Sequence, residues 1–145
     1  MTKQELRKIY LEKRLSLSSQ DYANLNGLIV ENFFSRVDLL STEVLHTFLP
    51  IEKSKEPDTW LIINRVRSVY PHIRISIPRI NDETGELESM FFDGPEQLVK
   101  NKWGIPEPHQ GKKTRIKEID MVLVPLLIFD KRGQRVGYGK GYYDK

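Results

Sequence analysis

The sequence predicts an α/β fold with three layers, in which helices flank a mostly parallel central sheet. Three observations lead to this prediction. Segments with helical periodicity alternate with short β-branched segments along the chain. The apolar run over residues 121–129 is typical of a strand buried on both faces. The length of 145 residues suits one domain with one core.

Two helices are predicted at the N-terminal end of the chain. The first covers residues 2–16, where apolar side chains recur at helical spacing. Ser18 and Asp21 have the spacing of a capping box, which opens a second helix that extends to about Arg36. The residues expected to face inward from this second helix are Tyr22, Leu25, Ile29 and Phe33.

Strands and turns dominate the middle of the chain. A strand is predicted for residues 43–49, followed by a charged loop and a helix over residues 57–69. A short strand over residues 74–77 is expected to stop at Pro78. The turn at residues 81–85 then leads into a returning strand over residues 87–92.

The remaining elements complete a Rossmann-like α/β/α sandwich that is preceded by an N-terminal helical segment. Residues 95–100 are predicted to form a short helix. Residues 103–111 contain two prolines and two glycines and are predicted to form an ordered loop. We expect the strand over residues 121–129 to lie at the centre of the sheet.

Composition excludes several classes of protein. The chain has no cysteine, so disulfides, thiolate metal sites and cysteine nucleophiles are excluded. The first residues are too charged for a signal peptide, and no apolar run is long enough to span a bilayer, so a cytoplasmic protein without a membrane partner is expected. The net charge of +3 is spread along the chain, and no nucleic-acid partner is expected.

A glycine-rich segment over residues 130–145 carries the strongest functional signal. It directly follows a predicted strand, and ligands of open α/β sheets bind beyond the carboxyl ends of strands. Alternating glycines can turn backbone N–H groups toward an anion, and an aspartate can bind Mg²⁺ beside phosphate oxygens. The spacing matches neither common nucleotide-binding motif, and a solvated turn is the alternative. The residues concerned are Arg135, Gly137, Gly139, Lys140, Gly141, Tyr142, Tyr143 and Asp144.

This segment resembles the signature of the 5-formyltetrahydrofolate cyclo-ligase family, also called 5,10-methenyltetrahydrofolate synthetases. The matching positions are Phe129, Asp130, Gly133, Arg135, Val136, Gly137, Gly139, Lys140, Gly141, Tyr142, Tyr143 and Asp144. Weaker motifs of the same family occur upstream in the same order. They comprise Lys3 and Arg7, then Glu56, Asp58 and Thr59, then Pro78 and Arg79, and finally Trp103, Ile105, Pro106 and Pro108.

The resemblance implies an enzyme that uses ATP and Mg²⁺ to cyclise 5-formyltetrahydrofolate to 5,10-methenyltetrahydrofolate, and a monomer is expected. Lys140 and Arg135 are implied as catalytic, Asp144 as the metal ligand, with Arg14 as a further candidate for phosphate. The implied folate-binding residues are Leu49, Glu56, Trp103 and Tyr142. The implied ATP-binding residues are Lys3, Arg7, Arg135, Gly137, Tyr138, Gly139, Lys140, Gly141, Tyr142 and Tyr143.

The family continues beyond the position of Lys145, so the chain is expected to be a single cyclo-ligase domain over residues 1–145 that lacks its C-terminal strands. Two other functions remain open. One is a non-catalytic nucleotide- or RNA-binding relative of the same fold. The other is an isomerase or transferase that acts on a phosphorylated sugar or an acyl-CoA and needs no ATP.

Several single residues also have simpler structural interpretations. Glu56 suits the first turn of a helix, where the helix dipole favours a carboxylate. Trp103 suits an anchor for its proline-rich loop. Asp144 suits a helix N-cap. His46 lies within a predicted strand and is expected to be a core histidine with a hydrogen-bond partner.

Overall fold

The computed structural model describes residues 1–138 and contains three α-helices. They are α1 (Lys3–Leu15), α2 (Ser19–Arg36) and α3 (Trp60–Val69). None of the helices in these residues is long and apolar enough to cross a membrane. The strands are β1 (Val44–Thr47), β2 (Arg74–Ile80), β3 (Leu87–Phe92), β4 (Leu98–Lys100), β5 (Pro106–Pro108), β6 (Met121–Leu123), β7 (Ile128–Phe129) and β8 (Arg135–Val136).

The main sheet has four strands in the order β3-β2-β1-β6. Strand β1 lies inside it and pairs in parallel with β2 on one side and β6 on the other. Only β3 runs antiparallel, because it returns from β2 through the predicted hairpin turn. The predicted α/β fold with a mostly parallel central sheet is therefore confirmed.

One face of this sheet carries the apolar core. Leu45 of β1 lies beside Ile75 of β2, and both belong to a buried cluster with Ile63 of α3 and Phe33 of α2. The opposite face is polar at its centre, where His46 of β1 contacts Ser76 of β2. Within residues 1–138, the segment that leads to Thr114 covers this second face, and the helices α2 and α3 pack on the first.

Both N-terminal helices begin at a side-chain cap, of which the one at Ser18 was predicted. The Thr2 side chain accepts a hydrogen bond from the Glu5 backbone N–H, and the Glu5 carboxylate accepts one from the Thr2 N–H in return. Ser18 caps α2 by accepting from the Asp21 backbone N–H. These bonds satisfy N–H groups that have no partner inside the helix.

The inward face of α2 differs from the prediction at two positions. Leu25 and Ile29 were expected to face the core, yet 45% and 42% of their surfaces are exposed. They line an apolar groove of about 420 Å³ between α1, α2 and β7. The buried positions of α2 are Asn26 and Phe33. Asn26 faces inward because its side chain accepts a hydrogen bond from the backbone N–H of Asp58.

Strand β2 does not stop at Pro78 but continues to Ile80. The pairing of β2 with β1 ends at Ser76, so Pro78 has no strand on that side. The N–H of Ile80, two residues further along the strand, points to the Glu107 carboxylate and away from β3. The missing N–H of Pro78 therefore falls on an unpaired edge, where proline costs no sheet hydrogen bond.

The segments that follow β3 form a hairpin, which the sequence did not indicate. The predicted helix over residues 95–100 is a single 3-10 turn, Pro95–Gln97, followed by β4. The predicted loop contains β5, which pairs antiparallel with β4. The Gln97 side chain stabilises this arrangement by accepting from the Asp93 N–H and donating to the carbonyl oxygens of Phe91 and Gln110.

The apolar run over residues 121–129 is not one central strand. Its first part is β6, an edge strand of the described sheet, and its last part is β7, which pairs with β8 in a separate hairpin. Pro125 interrupts the run and cannot donate a backbone hydrogen bond to a neighbouring strand.

Helix α3 begins at Trp60, three residues later than predicted. The Asp58 carboxylate accepts a hydrogen bond from the Trp60 N–H at the start of the helix.

Candidate active site

The larger cavity of the described chain lies at the carboxyl ends of the parallel strands. Phe48 and Leu49 follow β1, Pro78 is in the last part of β2, and Pro125 follows β6; all four line the cavity. Its volume is about 750 Å³, which is within the range of small-molecule sites. This position agrees with the rule that places ligands of open α/β sheets beyond the strand ends.

The cavity collects all the sequence-predicted site residues that the structure describes except Arg14. They come from segments that are far apart in the chain: the first helix, the loop after β1, the β4–β5 hairpin and the glycine-rich segment. The residues are Lys3, Arg7, Leu49, Glu56, Trp103, Arg135, Gly137 and Tyr138. Six further predicted residues lie outside the described residues, namely Gly139, Lys140, Gly141, Tyr142, Tyr143 and Asp144.

One wall of the cavity is basic. Lys3 and Arg7 are separated by one helical turn on α1 and both line the cavity, while Arg135 enters it from β8. The Arg7 Nε donates to the carbonyl oxygen of Gly137 at 3.0 Å. This bond holds α1 against the glycine-rich segment, so the three cations line one cavity.

A short hairpin presents the glycine-rich segment. The strands β7 and β8 pair antiparallel, and the Asp130 carboxylate accepts from the backbone N–H groups of Arg132 and Gln134, both at 2.9 Å. Gly133 adopts a left-handed conformation with φ of 82°, which glycine takes without strain. The turn thereby directs Arg135 back toward the cavity.

Glu56 is the buried carboxylate of the site, with 2% of its surface exposed. Its Oε1 accepts from the backbone N–H of Ile51 at 3.0 Å. Burial raises its pKa, and the Ile51 N–H, Arg14 and Tyr138 oppose that rise. The simpler interpretation, a helix first-turn residue, is wrong, because α3 begins only at Trp60 and the carboxylate turns back to the preceding loop.

Arg14 is not placed to bind phosphate in this cavity. Its Nε donates to the carbonyl oxygen of Ser54 at 2.9 Å, and its Nη2 donates to the Tyr138 hydroxyl at 2.5 Å. It lines the smaller apolar groove instead. The cations that line the larger cavity are Lys3, Arg7 and Arg135.

Trp103 lies at the tip of the β4–β5 hairpin and lines the cavity with 45% of its surface exposed. The interpretation of Trp103 as an anchor for its proline-rich loop stays a prediction, and Asn101 also holds the loop. The Asn101 Oδ1 accepts from the backbone N–H groups of Trp103 at 2.9 Å and Ile105 at 3.0 Å. The Lys102 Nζ lies 4.5 Å from the centre of the Trp103 indole ring.

Sequence reasoning missed three polar residues that line the cavity, Ser54, Asn101 and Glu107. The Asn101 Nδ2 is buried and has no hydrogen-bond partner among residues 1–138. The Glu107 Oε2 accepts from the Ile80 N–H at 2.7 Å and thereby joins the β4–β5 hairpin to β2. The sequence feature that could have indicated Glu107 is its position between Pro106 and Pro108, because a residue before proline favours an extended backbone.

The described residues do not bring together three acidic, histidine or cysteine side chains that could hold a metal ion. The predicted metal ligand, Asp144, lies outside those residues. The cavity does suit a polyanion, because Lys3, Arg7 and Arg135 line it together. The arrangement can therefore hold phosphates at its basic wall and a flat ring beside Trp103 and Glu56.

Comparison with known proteins gives one consistent result. The model of the 5-formyltetrahydrofolate cyclo-ligase family matches residues 1–145. A 5-formyltetrahydrofolate cyclo-ligase of Mycoplasma pneumoniae is 30% identical, with 100% of this chain and 76% of that protein covered. The cyclo-ligase of Mus musculus is 27% identical over 92% of this chain and 68% of its own. The solved 5,10-methenyltetrahydrofolate synthetase of Aquifex aeolicus superposes with a TM-score of 0.83 at 29% identity, covering 99% of this chain and 71% of that one.

Proposed function

The chain belongs to the 5-formyltetrahydrofolate cyclo-ligase family, and we propose that it uses Mg-ATP to convert 5-formyltetrahydrofolate to 5,10-methenyltetrahydrofolate. The observation that carries this proposal is a single cavity with two kinds of wall. Lys3, Arg7 and Arg135 suit a triphosphate, while Glu56 and Trp103 suit a reduced pterin ring. The cavity is large enough for reacting groups of both substrates to meet.

The proposed reaction proceeds in two steps. The formyl group on N5 is an amide and therefore a poor electrophile. Its oxygen attacks the γ-phosphorus of ATP, the bond to ADP breaks, and the formyl carbon becomes activated. The N10 amine then attacks that carbon, loses its proton, and phosphate departs with the former formyl oxygen. The products are 5,10-methenyltetrahydrofolate, ADP and phosphate.

Catalysis in this scheme comes from positioning and charge neutralisation. Phosphoryl transfer leaves little covalent work for the protein, so fixed cations around the transferring group supply most of the stabilisation. Lys3 and Arg7 hold the phosphates from α1, and Arg135 meets the charge that develops on the γ-phosphoryl oxygens, together with Lys140. Bound Mg²⁺, with Asp144 as its proposed ligand, neutralises further phosphate charge.

The folate occupies the other wall. The Glu56 carboxylate is fixed by the Ile51 N–H through one oxygen and can accept from N–H groups of the pterin. Trp103 and Leu49, which is 4% exposed, line the same cavity and supply apolar surface for the pterin ring. Holding the formyl oxygen in line with the γ-phosphate is the task of these contacts.

The direct test is the absorbance of 5,10-methenyltetrahydrofolate on mixing the protein with 5-formyltetrahydrofolate and Mg-ATP. We expect an increase that requires ATP and that Asp144→Ala abolishes. Omission of ATP and omission of protein are the controls. A protein that binds both substrates but produces no ATP-dependent increase would contradict the proposed reaction.

Substitution of Trp103 tests the folate wall. Trp103→Ala is expected to weaken 5-formyltetrahydrofolate binding by about 10-fold, because stacking of a ring on an aromatic side chain contributes about 1–3 kcal/mol. Trp103→Phe should retain part of the affinity, and ATP binding should stay unchanged. Equilibrium binding of each substrate measures this. Val99→Ala, at an exposed position of the same hairpin, is the control. An equal loss of ATP affinity in Trp103→Ala would show that the substitution disrupts the whole cavity and not the folate wall alone.

A further inference from the structure

The basic wall of the larger cavity is divided between two elements. Lys3 and Arg7 belong to α1, whereas Arg135 belongs to β8, where the glycine-rich segment begins. Helix α1, which the structure describes over its full range Lys3–Leu15, has no fully buried residue. Its polar contacts therefore have a large share in fixing where its two cations lie relative to Arg135.

The first of these contacts is made by Arg7. Its Nε donates to the carbonyl oxygen of Gly137 at 3.0 Å, and Gly137 follows β8 directly. This bond connects the first half of α1 to the glycine-rich segment. A single hydrogen bond leaves a helix free to pivot about it, so a second contact is needed to fix the direction of α1.

Arg14 makes that second contact. It follows Arg7 by seven residues, which is two helical turns, so both side chains leave the same face of α1. The Arg14 Nη2 donates to the Tyr138 hydroxyl at 2.5 Å, and its guanidinium carbon is 5.4 Å from the centre of the Tyr138 ring. Neighbouring residues of the glycine-rich segment, Gly137 and Tyr138, are thus held from two points of one helix.

The end of α1 that carries Arg14 is itself attached to the loop after β1. The Arg14 Nε donates to the carbonyl oxygen of Ser54 at 2.9 Å. The Lys55 Nζ donates to the carbonyl oxygen of Leu15 at 3.1 Å and to that of Leu17 just beyond the helix. Carbonyl groups in a last helical turn have no partner inside the helix, so these bonds hold the helix end to the domain.

We propose that Arg14 is a positioning residue of the ATP site, which fixes the glycine-rich segment against α1 and so keeps Arg7 and Arg135 in register around the phosphates. This inference rests on the proposed function, since it assumes that the triphosphate binds at the basic wall. Of the two cavities formed by the described residues, Arg14 lines the smaller groove and not the larger one. It therefore acts through Tyr138 and not by touching phosphate.

Replacement of Arg14 by glutamine is expected to weaken Mg-ATP binding by about 10-fold, because the loss of hydrogen bonds from a charged group releases the segment from α1. Binding of 5-formyltetrahydrofolate without ATP should stay within about twofold of the wild type, since Glu56 keeps its hydrogen bond from the Ile51 N–H. Isothermal titration calorimetry with each substrate measures both affinities.

Two variants at the end of α1 serve as comparisons. Lys13→Gln removes the same charge from the same helical turn at an exposed position and should bind Mg-ATP as the wild type does. Arg14→Lys should recover only part of the affinity, because one ammonium group does not reproduce the fork of donors that reaches Ser54 and Tyr138 together.

A double-mutant cycle separates positioning from stability. Arg7→Ala should weaken Mg-ATP binding by a smaller factor in the Arg14→Gln background than in the wild type, because Arg7 is then no longer held in register with the segment. Tyr138→Phe, which keeps the ring and removes the hydroxyl, should likewise have a smaller effect once Arg14 is replaced. The pair Arg14→Lys and Tyr138→Phe gives the same cycle if Arg14→Gln folds poorly.

Three outcomes would overturn the inference. Equal Mg-ATP affinities of Arg14→Gln and Lys13→Gln would show that Arg14 does not act on the site. Losses that multiply in the cycles would show that Arg14 acts independently of Arg7 and Tyr138. Equal losses of ATP and folate affinity would show that Arg14 supports only the fold. Failure of the proposed function looks different, because the wild-type protein would then bind no Mg-ATP, and that result would remove both.

Discussion

Replacement of Arg135 by alanine is expected to lower the rate of 5,10-methenyltetrahydrofolate formation by about 100- to 1,000-fold at saturating substrates. The proposed reaction builds negative charge on the transferring phosphoryl group. Arg135 lines the cavity and belongs to the glycine-rich segment that is proposed to hold that group. Loss of a fixed cation at that position affects the transition state more than the bound substrate. The effect should therefore appear mainly in kcat, with a smaller change in the KM for ATP.

The matched control for this prediction is Arg132→Ala. Arg132 belongs to the turn of the same β7–β8 hairpin, is exposed, and does not line the cavity. The substitution Arg132→Ala removes one positive charge from the same hairpin, as Arg135→Ala does, and should leave kcat unchanged. Arg135→Lys should recover part of the rate, because it restores the charge without the planar guanidinium. Equal losses in Arg132→Ala and Arg135→Ala would show that the hairpin, and not the cation in the cavity, sets the rate.

Most residues of the candidate site were named through the family resemblance, whose motifs are short and local in the sequence. Lys3 and Arg7 share a helix face at a separation of four residues, and Arg135 and Gly137 belong to the segment that directly follows an apolar run. What the sequence did not contain was the partner of each side chain. The contact of Arg14 with Tyr138 joins residues that are 124 positions apart, and no local pattern predicts such a contact.

The fold was predictable where local signals agreed and unpredictable where a tertiary contact replaced them. Helix α2 begins directly after the predicted cap Ser18, and α1 lies within residues 2–16, where the periodicity predicted it. Pro78 was expected to end a strand, but its missing N–H lies on an unpaired edge. Helix α2 was assigned a core face that includes Leu25, yet Asn26 is buried because it caps a distant loop through the Asp58 N–H.

His46 illustrates a prediction from sequence that the structure confirms and makes quantitative. It was expected to be a core histidine with a partner, and it is 3% exposed, with its Nδ1 3.0 Å from the Ser76 Oγ. Ser76 in turn donates to the Thr114 Oγ1 at 2.8 Å. Burial lowers the pKa of His46 to about 4, because the charged imidazolium loses its hydration in this position.

The low pKa of His46 is expected to make the folded state sensitive to acid. The unfolded chain binds the proton at its ordinary pKa of about 6.5, so it holds more protons than the folded chain between that value and about 4. The stabilisation is complete above the unfolded value and decreases as pH falls toward the folded value. Between about pH 7.5 and pH 5, this one group should lower the free energy of unfolding by about 2 kcal/mol.

Urea unfolding of the wild-type protein and of His46→Gln at both pH values measures this contribution. Carboxylates also titrate in this range. The informative quantity is therefore the change in the free energy of unfolding between the two pH values, compared between the wild type and His46→Gln. His46→Gln should be less stable at neutral pH, yet should lose about 2 kcal/mol less on acidification. His109→Gln, at an exposed position, should behave as the wild type. An identical pH dependence of stability in His46→Gln and the wild type would mean that protonation of the buried imidazole does not destabilise the folded state.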